Sequence, residues 1–193
     1  IVIGTDEKDA IGMLIKLHRP LERVGRPILI TDRKSSEMIK YASNSFLAAK
    51  ISFINEVARL CEKVGANVKA VSRGMGLDDR IGPRFLQAGV GYGGSCFPKD
   101  IKGLIATGKE HGVDMKILES VEEVNIGQRE IVLQKVKSCI EGIPAPKVAI
   151  WGLAFKPRTD DIRDAPSLTI IKNLLDYGAS VAAFDPVAEE NTR

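Results

Sequence analysis

Residues 89–100, G-V-G-Y-G-G-S-C-F-P-K-D, set glycines at 89, 91, 93 and 94 ahead of Cys96 and a Lys-Asp pair behind it. Glycine has no Cβ, so such a loop lets backbone N–H groups approach a ligand and takes up positive φ without strain. The glycines at 89, 91 and 94 fit the spacing G-x-G-x-x-G. No clear strand precedes them, however, and Pro98 interrupts the residues after them, so the match is not read as a dinucleotide fingerprint. A free thiol is only slightly ionised at neutral pH, and a nearby ammonium or a helix N-terminus raises the thiolate fraction. Lys99 and a helix expected over about 100–108 offer both. Cys96 is therefore open to two readings, a small inert side chain in a flexible loop or a nucleophile. Cys61 and Cys139 fall within helical patterns and are expected to be buried and inert.

Two other groupings could carry chemistry. Lys40 and Asn44 are four residues apart in E-M-I-K-Y-A-S-N-S-F-L, which stacks an ammonium and an amide on one helix face. The alternative is an ordinary solvated face. Further on, G-L-A-F-K-P-R-T-D-D-I-R-D places Lys156, Arg158 and Arg163 at the carboxyl end of an expected strand, where open α/β sheets bind ligands. With Gly152 alone it lacks the dinucleotide pattern, leaving a site for a phosphate-bearing ligand or a plain charged loop. His18 and His111 have no partners at catalytic spacing and read as surface residues. Three widely spaced cysteines without a C-x-x-C pair suggest neither a disulfide framework nor a zinc site, and no metal-ligand cluster is apparent.

The elements that must position these residues are set by periodicity and punctuation. I-V-I-G-T-D reads as a short buried strand, residues 6–17 as a helix and 28–31 as a second strand; these two strands do not make a sheet with its own core. From 35 to 64 there is neither proline nor glycine, a serine pair offers the N-cap, and Gly65 supplies the stop. This predicts one helix ~45 Å long. Its stripe of Ile39, Ala42, Phe46, Ala49, Phe53, Val57, Leu60 and Val64 serves either internal packing or a subunit interface. A second helix is expected over 115–141, stopped by Gly142, with Pro144 and Pro146 marking a domain boundary. Beyond it K-V-A-I-W-G, residues 166–177 and S-V-A-A-F-D form a βαβ unit of the doubly wound type.

The chain has 193 residues, of which 44% are apolar, enough for a substantial core in one or two domains. A formal net charge of +3 with both signs interspersed points away from nucleic acid and membrane surfaces. The longest apolar run, V-A-I-W-G-L-A-F, is far short of the ~20 residues that span a bilayer. No signal peptide opens the chain, so a cytoplasmic location is expected. The absence of an initiator Met and a parallel strand pair without flanking strands lead to the expectation of an internal piece of a longer protein.

Three stretches, in this order and spacing, resemble the UDP-glucose/GDP-mannose dehydrogenase family: E-M-I-K-Y-A-S-N-S-F-L-A-A-K-I-S-F-I-N-E, then D-D-R-I-G-P-R-F-L-Q-A-G-V-G-Y-G-G-S-C-F-P-K-D, then W-G-L-A-F-K-P-R-T-D-D-I-R-D-A-P-S. Within that family R-I-G-P-R-F-L ahead of G-G-S-C-F-P-K-D is similar to the UDP-glucose members. N-acetylmannosamine enzymes usually carry G-G-H-C, and GDP-mannose enzymes differ upstream. The resemblance implies an α/β fragment: a central long-helix dimerisation region followed by the first βαβ unit of a Rossmann-like domain. In it, 1–34 would be the last part of an NAD-binding domain, 35–143 the dimerisation and catalytic region, and 144–193 the start of a UDP-binding domain.

The implied activity is NAD-dependent four-electron oxidation of UDP-glucose to UDP-glucuronate through a cysteine thiohemiacetal and thioester, in a homodimer joined by the 35–64 helix. By motif position Cys96 would be the nucleophile, Lys40 and Asn44 would hold the reacting oxygen, and Asp100 would handle the proton and water. Arg80 would reach the neighbouring subunit's sugar nucleotide; Phe85, Leu86, Gln87, Ala88, Gly89, Gly93, Phe155 and Lys156 would contact substrate, and Lys99 and Arg163 NAD. The family's dinucleotide glycines and a catalytic glutamate from the first domain have no counterpart here. The alternatives are a GDP-mannose or UDP-N-acetylhexosamine 6-dehydrogenase, or an inactive dimerisation and sugar-nucleotide-binding fragment.

Overall fold

The computed structural model describes residues 1–22 and 25–192. It is a helix-rich α/β chain with six α-helices and two short parallel strand pairs among the described residues. The chain divides into two compact units, residues 1–44 and 45–193. Among the described residues no helix is long and apolar enough to cross a membrane.

In the first unit β1 (Val2–Gly4) pairs in parallel with β2 (Leu29–Thr31), in the register Val2 to Leu29 and Gly4 to Thr31. Helix α1 (Lys8–Glu22) lies between them in sequence and buries none of its described residues. Of β1 only Ile3 is buried, so the strand is covered on one side rather than enclosed. A Cβ on Gly4 would stand 1.9 Å from Ser36 Oγ, which fixes how closely β1 approaches the next helix. That helix, α2 (Arg33–Val64), starts two residues before the expected serines. Its cap is Asp32, whose Oδ1 accepts from Ser35 N at 2.9 Å, while Ser36 Oγ donates to the Arg33 carbonyl. A carboxylate fixed at a helix start is favoured twice, by the orphan N–H groups and by the macrodipole.

The second unit takes the rest of α2 and adds α3 (Val68–Gly76), α4 (Phe97–Glu110), α5 (Lys116–Ile140), β3 (Lys147–Trp151), α6 (Pro166–Asp176) and β4 (Ser180–Phe184). Helix α3 was not expected from the pattern; Asn67 caps it by accepting from Lys69 N and Ala70 N. One core gathers Ala48 of α2, Tyr92, Ile101 and Leu104 of α4, and Leu118 and Val121 of α5. A second gathers Leu133 of α5, Ile170 and Leu174 of α6, and Ala179. Helix α5 thus belongs to both and runs from the helical core into the βαβ unit.

The inner face of α2 is small and polar. Ser45, Ala48, Ser52, Ile54, Asn55 and Cys61 are buried, with Ser52 Oγ donating to the Val121 carbonyl at 2.8 Å. The apolar stripe faces outward: Phe46, Phe53 and Leu60 are 68%, 51% and 62% exposed. Internal packing therefore does not account for its large exposed members, whereas Ile39, Ala49 and Val57 are half-buried and Ala49 packs on the first core.

Strands β3 and β4 pair in parallel from Lys147 with Ser180 to Trp151 with Phe184. Val148, Ile150 and Val181 pack on the second core, whereas Trp151 is 89% exposed. The strand expected to be buried is covered on one face only. Gly142 takes φ +75° after α5, as a stop residue should.

Candidate functional site

Helix α4 begins at Phe97 with Pro98 in its first turn, so the proline opens the helix instead of interrupting it. Cys96 is consequently the N-cap residue, and its carbonyl accepts from Asp100 N at 2.9 Å. The thiol is exposed, 3.8 Å from Ser95 Oγ, at the helix end that favours negative charge. Of the other two cysteines, Cys61 is buried as expected, but Cys139 is exposed near the end of α5, which corrects its reading as a core residue. Asp100 is 1% exposed and takes Lys99 Nζ on Oδ1 at 2.6 Å, with most of the Lys99 side chain in solvent.

The loop before Cys96 is held by side chains that the sequence pattern did not single out. Asn125 on α5 accepts from Tyr92 N at 2.8 Å and donates to the Tyr92 carbonyl at 3.1 Å. Gln128 donates to the Gly89 carbonyl, and Asn55 of α2 accepts from Gly89 N, both at 2.8 Å. Arg129 reaches the Tyr92 and Asp164 carbonyls. The available signal was an amide, an amide and a guanidinium at i, i+3 and i+4 on one face of a helix. Tyr92 itself is buried, edge-on to Phe97 at 5.8 Å, and donates to Glu122. Burial first, then the Glu122 carboxylate, pushes its pKa up.

Three of the glycines make room for protein rather than for open space. A Cβ on Gly91 would stand 2.6 Å from Asn125 Oδ1, on Gly93 2.1 Å from the Asp164 carbonyl oxygen, and on Gly94 2.6 Å from the Phe155 ring. On Gly89 it would meet nothing within 4 Å among the described residues. Gly94 N also donates to the Arg163 carbonyl at 2.9 Å. The loop is therefore docked against the segment that succeeds β3.

That segment is shaped by two carboxylates. Asp185, past β4, accepts from Leu153 N and Ala154 N on one oxygen and from Val187 N and Ala188 N on the other. These backbone donors hold its pKa well below the usual carboxylate range. Asp161 grips Arg163 with two oxygens, at 2.9 Å and 2.7 Å, and this hydrogen bonding lowers the Asp161 pKa to about 2. Arg163 is raised in turn, chiefly by Asp161, with a smaller contribution from Cys96. Lys156 Nζ lies 5.0 Å from the Phe155 ring centroid. The structure thus brings Gly93, Cys96, Lys99, Asp100, Phe155, Lys156 and Arg163 into one neighbourhood of the second unit.

Of the remaining expected residues, Phe85 has φ +64° and lies 6.1 Å from Phe97, centroid to centroid. Left-handed backbone in a phenylalanine is uncommon and often marks a site. Phe85 and Gln87 line an open cleft of about 500 Å³ with Ile51, Arg84 and Gly91. The Leu86 side chain is buried and its carbonyl accepts from Ser72 Oγ, so its side chain serves the core; Ala88 and Gly89 are exposed. Arg80 is exposed and fork-paired with Asp78. Lys40 and the buried Asn44 belong to the first unit, where Lys40 lines a cleft of about 530 Å³ with Val2, Ser36 and Tyr41.

Residues 34–126 match the central-domain model of the UDP-glucose/GDP-mannose dehydrogenase family, and residues 149–193 match its UDP-binding-domain model. A UDP-glucose 6-dehydrogenase of Rhizobium meliloti is 48% identical over 196 residues, covering 100% of this chain and 45% of its own length. The solved UDP-glucose dehydrogenase of Pyrobaculum islandicum superposes with a TM-score of 0.93 at 39% identity, over 100% of this chain and 44% of that one. A UDP-D-ManNAc dehydrogenase of Pyrococcus horikoshii gives a TM-score of 0.82 at 27% identity, over 96% and 44%. The chain spans less than half the length of these relatives.

Proposed function

The chain belongs to the UDP-glucose/GDP-mannose dehydrogenase family, and from that premise we propose that it is part of an enzyme that oxidises UDP-glucose to UDP-glucuronate in two NAD-dependent steps. The observation that carries the reading is Cys96: an exposed thiol at the start of α4, with a buried carboxylate one turn on and Arg163 within electrostatic reach. The UDP-glucose preference is supported by R-I-G-P-R-F-L and by the naming of the more similar relatives.

NAD, when bound, supplies the hydride acceptor for both oxidations. The chain's own residues fit its pyrophosphate: Lys99 and Arg163 are largely exposed cations and would hold it. Cys96 is needed because an aldehyde at C6 has no hydroxyl to deprotonate. Addition of the thiolate to that carbon gives a thiohemiacetal, which has one. Loss of its hydride leaves a thioester, and attack by water releases the carboxylate and restores the thiol. Asp100 takes and returns the protons. Lys40 and Asn44 hold the reacting oxygen. Phe85, Leu86, Gln87, Ala88, Gly89, Gly93, Phe155 and Lys156 contact the sugar nucleotide, Leu86 through its backbone, and Arg80 reaches the partner subunit's.

In this reading residues 35–143 form the dimerisation and catalytic region, and the βαβ unit of β3, α6 and β4 begins a Rossmann-like UDP-binding domain. The homodimer is supported by the outward stripe of Phe46, Phe53 and Leu60, which recur at every seventh position. Phe53→Asp is expected to give a monomer by light scattering.

The function is tested with the full-length protein by measuring kcat/KM for UDP-glucose, GDP-mannose and UDP-N-acetylmannosamine with NAD. A preference for UDP-glucose with two NADH per product supports the reading. A preference for either other sugar nucleotide replaces the substrate, and no NADH from any of the three rejects the activity.

A further inference from the structure

Three polar side chains of α5 reach the loop before Cys96, but they do not do the same thing. Asn125 and Gln128 make hydrogen bonds to the backbone of Tyr92 and Gly89, within that loop. Arg129 reaches across. Its Nη2 lies 3.3 Å from the Tyr92 carbonyl and 3.4 Å from the Asp164 carbonyl, and its Nη1 3.3 Å from Thr169 Oγ1 in the first turns of α6. Its Nε is buried and has no hydrogen-bond partner among the described residues. A guanidinium held over neutral acceptors with one donor unmet is a poor stabiliser, so its place calls for another reason.

The carbonyl it grips is itself unusual. Asp164 has φ +49°, a left-handed conformation that non-glycine residues rarely keep without outside support. The same carbonyl faces Gly93 so closely that a Cβ there would stand 2.1 Å away. One residue earlier, the Arg163 carbonyl takes Gly94 N. Fixing Asp164 against Tyr92 therefore fixes the two residues before Ser95 and Cys96 against the segment that carries Phe155, Lys156 and Arg163.

We infer that Arg129 is a positioning residue that locks the Tyr92–Asp164 contact, so that the Cys96 thiol and the Phe155–Arg163 segment keep one mutual geometry. The role rests on the reading of Cys96 as the nucleophile. Arg129 acts through backbone groups and touches no residue expected to bind UDP-glucose directly, so its loss falls on kcat. A lysine at 129 can reach one of the carbonyls but lacks the planar fork that spans them.

The three cysteines provide the test, because the structure gives them different surroundings. In the full-length protein, the rates at which iodoacetamide modifies Cys61, Cys96 and Cys139 are measured by peptide mass spectrometry in wild type, Arg129→Lys and Arg129→Met. Cys61 is buried and reports general loosening, while the exposed Cys139 is the reference. The Cys96-to-Cys139 ratio is expected to change severalfold in Arg129→Met and less in Arg129→Lys, with Cys61 protected, because the Gly93–Gly94 backbone ahead of the thiol is no longer locked against the Asp164 and Arg163 carbonyls. A wild-type ratio in a variant that keeps Cys61 protected overturns the proposal. Should Arg129→Met expose Cys61, Arg129→Lys decides by the same ratio.

For turnover, Arg129→Met is expected to lower kcat on the order of 10²-fold, with KM for UDP-glucose little changed. A raised KM at unchanged kcat also overturns it. If the wild-type protein does not oxidise UDP-glucose, the functional reading fails, while the alkylation ratio still decides the role of Arg129.

Discussion

The loop before α4 and the loop before α6 are built alike and held differently. Each is irregular, each ends at a helix with proline in its first turn, and neither N-cap residue, Cys96 or Ala165, makes a side-chain cap hydrogen bond. The first loop is fixed mainly by the amides of Asn55, Asn125 and Gln128, with Arg129 tying its Tyr92 carbonyl to the second loop. The second is fixed by the carboxylates of Asp161 and Asp185. The difference reflects what each carries. In the proposed function, amides fix the backbone ahead of the thiol without adding further charge to that of Asp100 and Lys99 beside it in sequence. A segment bearing Lys156, Arg158 and Arg163 gains from fixed anions, which orient the cations and offset their repulsion.

The comparison breaks most sharply where the two loops touch. Gly93→Ala would push a methyl group into the Asp164 carbonyl, backbone against backbone. It is expected to cost roughly 1–3 kcal/mol of stability, far more than Gly89→Ala, whose Cβ would meet no protein atom within 4 Å among the described residues. Thermal unfolding of the pair measures this; equal destabilisation at 89 and 93 would show that the contact is incidental.

The neutral support is tested by Asn125→Ala, which strips Tyr92 N–H and C=O of their shared partner. A loss of about 1–3 kcal/mol is expected from denaturant unfolding, with little dependence on pH. On the charged side, Asp161→Asn should raise KM for NAD severalfold through Arg163 and change the unfolding midpoint less than Asn125→Ala, because the Arg163 end of the pair is open to water.

Acid separates the loops with the smallest effect. Asp161 has its pKa lowered from 3.8 to about 2. Its contribution is therefore complete above pH 3.8 and is lost as the pH falls from there towards 2. Hydrogen exchange corrected for intrinsic rates should show residues 161–165 losing protection over that interval before residues 89–92, whose amide supports do not titrate. Simultaneous loss would contradict the division.

How much of this was legible in the sequence depended on whether the signal was local. Helices α2, α5 and α6 and strands β3 and β4 were marked by periodicity and by Gly65, Gly142 and Gly178. Helix α3 escaped because nine residues with two glycines carry little pattern, although Asn67 was a usable cap. The sequence pattern starts α4 too late because Pro98 reads as a breaker, whereas proline in a first turn costs no hydrogen bond. The stripe on α2 is visible in the sequence, but periodicity cannot distinguish a face turned to the core from one turned outward. The glycines and Cys96 stood out at once. The side chains behind them, Asn125, Gln128, Arg129 and Asp185, did not, because what they bind is backbone brought near by the fold.

The account turns on the thiol of Cys96, and the most direct measurement is UDP-glucuronate formed by Cys96→Ser in the full-length protein, quantified by chromatography with UDP-glucose and NAD in excess. A serine hydroxyl is a far weaker nucleophile than a thiolate at neutral pH, and product should fall by at least about 10³-fold, the scale seen when a covalent nucleophile is removed. UDP-glucuronate formed at the wild-type rate would contradict the account.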